Sequence, residues 1–315
     1  MSLPKVTILG AGHVGATTAH LLVLKGLADV VVIDVVEGLA AGKALDLLQA
    51  AAIEDLAVTV TGTTDLAAMT GSRLVVITAG LARTPGMSRD DLLAANANIV
   101  GPLADQITRL APEAVVVVVT NPLDVMTHLV LQRTGFPRQR VMGMAGVLDA
   151  GRVRAFIAQR LSVAPASVQA LILGSHGDLM VCLPDAITVQ GASVSQRLSS
   201  QELDQLVARA RDGGAEIVSL LKSSSAYYAP ASGVVQMISA VLRGPRRVLP
   251  ACVLLEGEYG LRDVCLGVPV ELGPNGVERI IEQPLPPKAR EALHQAAGQV
   301  RAQVKQLLSL RPSSS

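Results

Sequence analysis

Two arginines, Arg83 and Arg89, lie six residues apart directly after the apolar run 74–78. The segment between them contains proline and glycine, which is typical of a loop, and a helix-like stretch follows it. In α/β proteins, ligands bind outside the carboxyl ends of the strands. Guanidinium groups bind carboxylates, and a loop that carries them can close over a ligand. The pair therefore indicates a small substrate with two carboxylates, whereas ordinary solvated loop charges are the alternative interpretation.

The histidine best suited to proton transfer is His176, which follows the apolar run 168–173 in the sequence Gly-Ser-His-Gly-Asp. Histidine exchanges protons near neutral pH, and a carboxylate on its second ring nitrogen fixes the tautomer. Asp149 is the predicted carboxylate partner, and Asp178 is the alternative. Arg152 shares a predicted helical face with Asp149 and is expected to bind a substrate carboxylate, although an intrahelical ion pair between the two is the other interpretation.

A glycine-rich turn at 10–15 connects the strand-like run 6–9 to a predicted apolar helix at 16–25. Its glycines allow a tight turn, a close backbone approach to a pyrophosphate, and close packing of helix against strand. The amino-terminal end of the helix then faces the phosphates. The predicted cofactor contacts in this turn are Gly10, Ala11, Gly12, His13, Val14 and Gly15.

Asp34 ends the next strand-like run, 30–33, and lies nineteen residues beyond Gly15. A carboxylate at this point accepts hydrogen bonds from the ribose hydroxyls of adenosine and repels a 2′-phosphate. NAD is therefore the predicted cofactor rather than NADP. A helix N-cap is the alternative role for Asp34.

Strand-like and helix-like segments alternate through the first half of the chain, which predicts an α/β fold with a Rossmann-type doubly wound parallel sheet. Asn121 follows a valine run in Thr-Asn-Pro and is expected at the same rim of the sheet as the glycine turn, near nicotinamide and substrate. A turn-forming asparagine is its alternative role. The further predicted strands are 58–62, 74–78 and 115–120, and the further predicted helices are 38–51 and 89–110.

The chain of 315 residues is longer than a usual single core. Two domains are expected, a cofactor domain at 1–144 and an α+β substrate domain at 145–315. Only 17% of the residues are charged, but no apolar stretch is long enough to predict a membrane span. A net charge of +1 without a basic stripe excludes a nucleic-acid-binding class. The first residues pass directly into a strand, so the expected location is the cytoplasm.

The three cysteines, Cys182, Cys252 and Cys265, lack the spacing of a zinc site. They are predicted to be small buried residues in a reducing compartment, and no metal site is expected. Apolar helices at 16–24, 40–52 and 234–242 have more hydrophobic surface than one core easily buries, which indicates contacts between subunits.

In their order along the chain, these motifs resemble the lactate/malate dehydrogenase family, and within it the lactate-dehydrogenase-like branch of malate dehydrogenases. Each motif alone is weakly specific, but the ordered set is highly specific. The motifs are the glycine turn 10–15, Asp34, the segment 83–89, Thr120-Asn-Pro122, the pair Asp149 and Arg152, and the histidine segment 174–178, with further similarity at 225–230 and 270–277.

The resemblance implies reversible NAD-dependent oxidation of (S)-malate to oxaloacetate, a step of the tricarboxylic acid cycle. It implies that His176 exchanges the substrate proton with Asp149 as its partner, and that Arg152 binds the carboxylate next to the reacting carbon. It further implies that Arg89 polarises the keto oxygen and that Arg83 selects the second carboxylate. The implied nicotinamide-side contacts are Asn96, Val119, Thr120 and Asn121. A homotetramer built as a dimer of dimers is the implied assembly, with a dimer as the second choice.

Two other functions stay open at this point: an L-lactate dehydrogenase, and a non-catalytic NAD-binding or redox-sensing protein of the same fold. The chain also departs from the branch at Thr84, where lysine is more common, and at Leu179 and Cys182, which replace a polar residue and a proline. These departures leave the chemical groups in place and are expected to affect loop closure, cofactor affinity and turnover.

Overall fold

The first half of the chain forms a parallel sheet in the strand order β3-β2-β1-β4-β5-β6. A computed structural model describes residues 3–82, 87–222 and 224–309. The valine-rich strands are buried on both faces because helices cover both sides. The strands are β1 (Lys5–Leu9), β2 (Asp29–Ile33), β3 (Val60–Thr63), β4 (Leu74–Ile77), β5 (Val115–Val118) and β6 (Val141–Gly143).

Four helices connect these strands and cover the sheet, and their bounds follow local signals in the sequence. A capping box at Ser88 and Asp91 fixes the start of the helix that begins at Arg89, as predicted for 89–110. Gly135, with a positive φ of 62°, ends the helix that follows Pro122. The helices are α1 (His13–Leu24), α2 (Leu39–Ile53), α3 (Arg89–Leu110) and α4 (Leu123–Thr134).

The second half continues the same sheet with antiparallel strands, because β6 also pairs with β12. The order continues β12-β13-β8-β9, and β14 pairs with β13. A separate sheet has the order β11-β10-β7. The elements are α5 (Gly146–Leu161), β7 (Val168–Gln169), β8 (Ile172–Gly174), β9 (Met180–Cys182), β10 (Thr188–Val189), β11 (Ala192–Ser193), α6 (Ser200–Leu221), α7 (Tyr228–Arg243), β12 (Arg247–Glu256), β13 (Arg262–Gly273), β14 (Gly276–Ile280) and α8 (Pro287–Ser309).

The predicted fold class, a Rossmann-type sheet followed by an α+β region, is confirmed. One predicted strand is wrong in detail, because 168–173 divides into β7 and β8 in two different sheets. The chain leaves the small sheet after Gln169 and joins the large sheet at Ile172. This crossing places the residues after β8 at the rim of the large sheet. None of the helices among the described residues has the length and apolar character that crossing a membrane requires.

Candidate active site

The glycine turn has a geometry that only glycine satisfies at two positions. Gly10 has a φ of 108°, and a Cβ on Gly15 would lie 1.9 Å from the carbonyl oxygen of Gly10. At Gly12, which precedes α1, a Cβ would meet nothing within 4 Å. The backbone therefore borders open space at the amino-terminal end of a helix, where unpaired N–H groups and the helix dipole favour a phosphate. The turn fits a dinucleotide pyrophosphate.

Asp34 lies next to this turn, and its carboxylate accepts hydrogen bonds from the backbone N–H groups of Ala11 at 2.6 Å and Val36 at 3.0 Å. The alternative role as a helix N-cap is wrong, because Gly38 is the N-cap of α2. Sequence reasoning missed Lys43, whose ammonium donates to the carbonyl oxygen of Ala11 at 2.5 Å. The two charged side chains thus bind the two peptide groups on either side of Ala11, and they come from the end of β2 and from α2.

Asn96 is fully buried in α3 and does not face solvent. Its side-chain oxygen accepts from the N–H of Leu81 at 2.7 Å, and its amide donates to the carbonyl oxygens of Leu81 and Asn121 at 3.2 and 2.7 Å. Both amide hydrogens are therefore used to join the segment after β4 to Asn121. A direct contact between Asn96 and the cofactor stays a prediction, and the structure adds a supporting role for it.

The rest of this rim consists of Val119, Thr120 and Asn121, directly after β5. Thr120 is buried, and its hydroxyl donates to the carbonyl oxygen of Ala79 at 2.7 Å. This bond ties the end of β5 to the end of β4. Asn121 is exposed and borders the cavity in front of His176. Of these three residues, Asn121 is the one that lines the cavity.

His176 and Asp149 meet at this rim, although they are separated by 27 residues in the sequence. Asp149 is 2% exposed and lies in the first turn of α5, and its Oδ2 is 2.9 Å from Nδ1 of His176. This contact leaves Nε2 as the ring nitrogen that a substrate can reach. Asp178, the alternative partner, contacts Arg89 instead.

The surroundings of His176 raise the pKa of its imidazole above the ordinary value. Burial by itself lowers this pKa, but the charge of Asp149 and its hydrogen bond raise it, and the charge of Asp124 adds to the increase. Arg152 acts in the opposite direction. The net effect favours the imidazolium form, which is the form that donates a proton to a keto oxygen.

Arg152 lies one helical turn after Asp149, with its Nη1 3.6 Å from Oδ1 of that carboxylate. Its Nε is buried and has no hydrogen-bond partner among the described residues. Gly213 and Gly214 of α6 make room for the guanidinium, since a Cβ on Gly213 would lie 3.3 Å from Cδ of Arg152. Burial lowers the pKa of Arg152, whereas the Asp149 charge opposes that effect. Arg152 is not among the residues that line the cavity in front of His176, but its side chain is only 14% exposed and the unused donor at Nε can bind a carboxylate.

Arg89 begins α3, and its Nη2 is 3.0 Å from Oδ2 of Asp178. Both side chains are exposed at the edge of the cavity, so this pair is in contact with solvent. Arg83 and Thr84 lie outside the described residues, and their predicted roles are not tested. The cavity has a volume of about 360 Å³ and is bordered by Arg89, Asn121 and His176 among others. This volume suits a small ligand.

Sequence reasoning also missed Asp124, in the first turn of α4. It is 4% exposed, and its Oδ2 accepts from the Ser175 hydroxyl at 2.7 Å and from the backbone N–H of His176 at 3.1 Å. The signal available in the sequence was a single acid within an otherwise apolar helix start. Nothing local indicated which residues it would contact.

The three cysteines are free thiols. Cys252 and Cys265 are buried as predicted, whereas Cys182 is partly exposed. Burial raises the pKa of the Cys182 thiol to about 12, so it is not a thiolate at neutral pH. Cys182 is therefore no nucleophile beside His176.

Two family models match nearly the whole chain: "lactate/malate dehydrogenase, NAD binding domain" at 4–143 and "lactate/malate dehydrogenase, alpha/beta C-terminal domain" at 146–310. A malate dehydrogenase from Synechocystis sp. is 50% identical over 97% of this chain and 94% of its own length. The structure of a malate dehydrogenase from Salinibacter ruber has a TM-score of 0.93 and 44% identity, covering 98% of each chain.

A lactate dehydrogenase from Cryptosporidium parvum, solved with lactic acid and nicotinamide adenine dinucleotide, is also similar. It has a TM-score of 0.94 and 36% identity, and the match covers 99% of this chain and 100% of that one. Malate dehydrogenases and a lactate dehydrogenase thus share this fold. This chain combines the NAD-binding domain with the His176 site. The protein belongs to the lactate/malate dehydrogenase family and is an NAD-dependent oxidoreductase.

Proposed function

We propose that this protein catalyses the reversible oxidation of (S)-malate to oxaloacetate with NAD. The observation that carries the proposal is the group of His176, Asp149 and Arg152, in which a buried carboxylate contacts both a proton carrier and a carboxylate-binding cation. The relatives that are about half identical over nearly the full length carry the name malate dehydrogenase. The substrates are malate and oxaloacetate, and the reaction is a step of the tricarboxylic acid cycle.

In malate oxidation, neutral His176 accepts the proton of the C2 hydroxyl at Nε2, because Asp149 already binds Nδ1. Bound NAD supplies the hydride acceptor. Asp149 stabilises the imidazolium that forms, and Arg152 orients the carboxylate next to C2 through its buried guanidinium. In the reverse direction, the same imidazolium returns the proton to the keto oxygen.

Arg89 is the proposed electrophile for that oxygen. It is held near the cavity by Asp178, in an exposed ion pair that contributes little stability. Exchanging this partner for the substrate oxygen therefore costs little free energy.

The second carboxylate of malate needs its own cation, because a carboxylate that loses its water without a partner is strongly destabilised. Arg152 accounts for the first carboxylate. Arg83 is the proposed partner of the second, because it lies six residues before Arg89 in the sequence. The fold does not separate malate from lactate enzymes, since relatives with both names share it. The residue at 83 is therefore the proposed determinant of specificity.

The test compares NADH oxidation with oxaloacetate and with pyruvate, and uses NADPH as the cofactor control. Turnover of oxaloacetate and not of pyruvate supports the proposal, and a preference for pyruvate contradicts it. NADH binding without turnover of either substrate would instead indicate a binding or sensing protein. Arg83→Gln is expected to move the preference towards pyruvate. Arg109→Gln, at the exposed far end of α3, is the matched control and leaves the preference unchanged.

We also propose a homotetramer built as a dimer of dimers, with a dimer as the second choice. Of the three helices expected to contact subunits, α1 and α7 pack against each other within the chain. The third, α2, leaves large apolar residues exposed, with Leu45 at 57%, Leu48 at 44% and Ile53 at 81%. Sedimentation of the wild type and of Leu48→Glu tests this assembly, and a wild-type monomer would contradict it.

The proposed domain division at residue 144 or 145 falls between the ranges of the two family models. The cytoplasm is the proposed compartment, and three free thiols are compatible with its reducing conditions.

A further inference from the structure

Asp124 is the buried carboxylate next to the catalytic segment that the proposed mechanism does not use. It is 4% exposed and borders the cavity in front of His176. Its Oδ2 accepts two hydrogen bonds, from the Ser175 hydroxyl and from the backbone N–H of His176. Its Oδ1 is buried and has no hydrogen-bond partner among the described residues.

Holding two donors does not by itself require a carboxylate. One oxygen receives both hydrogen bonds, and the neutral amide of asparagine offers such an oxygen without the free-energy cost of a buried charge. Burial raises the pKa of Asp124 above its ordinary value, and the hydrogen bonds from Ser175 and the backbone of His176 offset only part of that rise. These donors stabilise the ionised form. An aspartate at this buried position costs more free energy than an asparagine would, so its presence indicates a role for its negative charge.

The charged groups around His176 explain why a negative charge at Asp124 is useful. Asp149 and Arg152 face it from α5, Asp124 faces it from α4, and Arg89 with Asp178 lies at the outer edge of the cavity. Arg152 forms an ion pair with Asp149, with 3.6 Å between Nη1 and Oδ1, and partly neutralises its charge. No cationic side chain within ion-pair distance of Asp124 occurs in the part of the chain that the structure describes. Its charge thus opposes the effect of Arg152 on the imidazole.

We propose that Asp124 is a positioning residue of this site: its carboxylate holds the Ser175–His176 segment at the cavity and gives His176 a second negative neighbour besides Asp149. Asp124 acts through its contacts with Ser175 and His176. It offsets the buried Arg152, so that a site rich in guanidinium groups still allows its histidine to be protonated. This inference rests on the proposed function, because it assigns a reason for keeping His176 protonated during oxaloacetate reduction.

The test replaces Asp124 with asparagine in the full chain and follows the His176 imidazole by NMR titration. The His176 signal is assigned from its absence in His176→Gln. In Asp124→Asn we expect His176 to titrate at lower pH than in the wild type, because one negative neighbour is lost while Arg152 stays. We also expect kcat/KM for oxaloacetate to fall about tenfold on the alkaline side and to recover at weakly acidic pH.

Two further variants separate charge from structure. Thr127→Val removes a buried hydroxyl on the same helix, which donates to the carbonyl oxygen of Leu123 at 2.9 Å and does not contact the catalytic segment. It is expected to change thermal stability without moving the His176 titration. Ser175→Ala removes a donor that keeps Asp124 ionised, so it should shift His176 in the same direction as Asp124→Asn, but less.

Unchanged titration of His176 in Asp124→Asn would overturn the proposal and leave Asp124 a structural residue only. If Asp124→Asn does not fold, the Ser175→Ala titration decides in the same way. The titration does not depend on turnover. A wild type that fails to reduce oxaloacetate but shows the expected shifts would contradict the proposed function and not the contact between Asp124 and His176.

Discussion

Replacing Asp149 with asparagine tests the site most directly. Among the groups around His176, the Asp149 carboxylate contributes most to stabilising the imidazolium form. The carboxylate is 2% exposed, and its Oδ2 lies 2.9 Å from Nδ1 of His176. Asparagine has the same size and can keep the amide near that nitrogen. The change therefore removes a charge and leaves the packing of the first turn of α5 in place.

The expected magnitude follows from that geometry. A hydrogen bond to a charged group contributes about 1.5–3 kcal/mol when water is excluded. A loss of about 2–3 kcal/mol of transition-state stabilisation lowers kcat/KM roughly 30- to 150-fold. Burial lowers the pKa of His176, and Asp149 makes the largest contribution that raises it. In Asp149→Asn this pKa falls, so the imidazolium is lost at lower pH than in the wild type.

The assay is the pH dependence of kcat/KM in both directions. Oxaloacetate reduction needs the imidazolium, so its alkaline limit moves to lower pH in the variant. Malate oxidation needs the neutral imidazole, so it is affected less at acidic pH. Asp105→Asn is the matched control, because it removes an exposed carboxylate paired with Arg133 on α4. A wild-type pH profile and a loss below threefold in a folded Asp149→Asn would refute this account of His176.

Two further changes test how the fold supports the site. Gly213→Ala should raise KM for oxaloacetate about five- to tenfold with little change in kcat, because its Cβ would lie 3.3 Å from Cδ of Arg152. Gly298→Ala, in α8 with nothing within 4 Å, is its control and should only stabilise the protein, by about 1 kcal/mol on thermal unfolding. An unchanged KM in Gly213→Ala would mean that Arg152 has room to move. Asp34→Ser should raise KM for NADH and reduce the preference for NADH over NADPH, because Lys43 stays near the ribose position without an acid beside it. Equal preference ratios in the wild type and in Asp34→Ser would remove Asp34 from that role.

The sequence was sufficient for the first half of the fold because its signals are local. Valine-rich runs identify strands that are buried on both faces, and glycine, proline and capping residues mark where the helices begin and end. The predicted helix at 89–110 has the same bounds as α3, and in the structure a capping box of Ser88 and Asp91 fixes its start. The end of β5 was placed two residues too far, since Val119 and Thr120 already belong to the rim.

The parts that sequence reasoning missed depend on contacts between distant residues. Asp124 contacts residues 51 and 52 positions further along the chain, and Lys43 reaches a carbonyl 32 positions earlier. No local pattern specifies such partners. The run 168–173 was assigned to one strand for the same reason, because its apolar residues fit a buried strand in either sheet. Which sheet each part joins depends on the partner strands β10 and β13.

The two buried acids of the site still share a feature that a sequence can show. Asp124 and Asp149 both lie in the first turn of a helix, where the helix dipole favours a negative charge, and neither forms a side-chain cap. The helices α3 and α6 instead use a first-turn acid, Asp91 or Glu202, in a capping box with a preceding serine. An acid without such a serine, among apolar neighbours, is not needed by its own helix. Its carboxylate is then available to another element, and here both carboxylates bind His176.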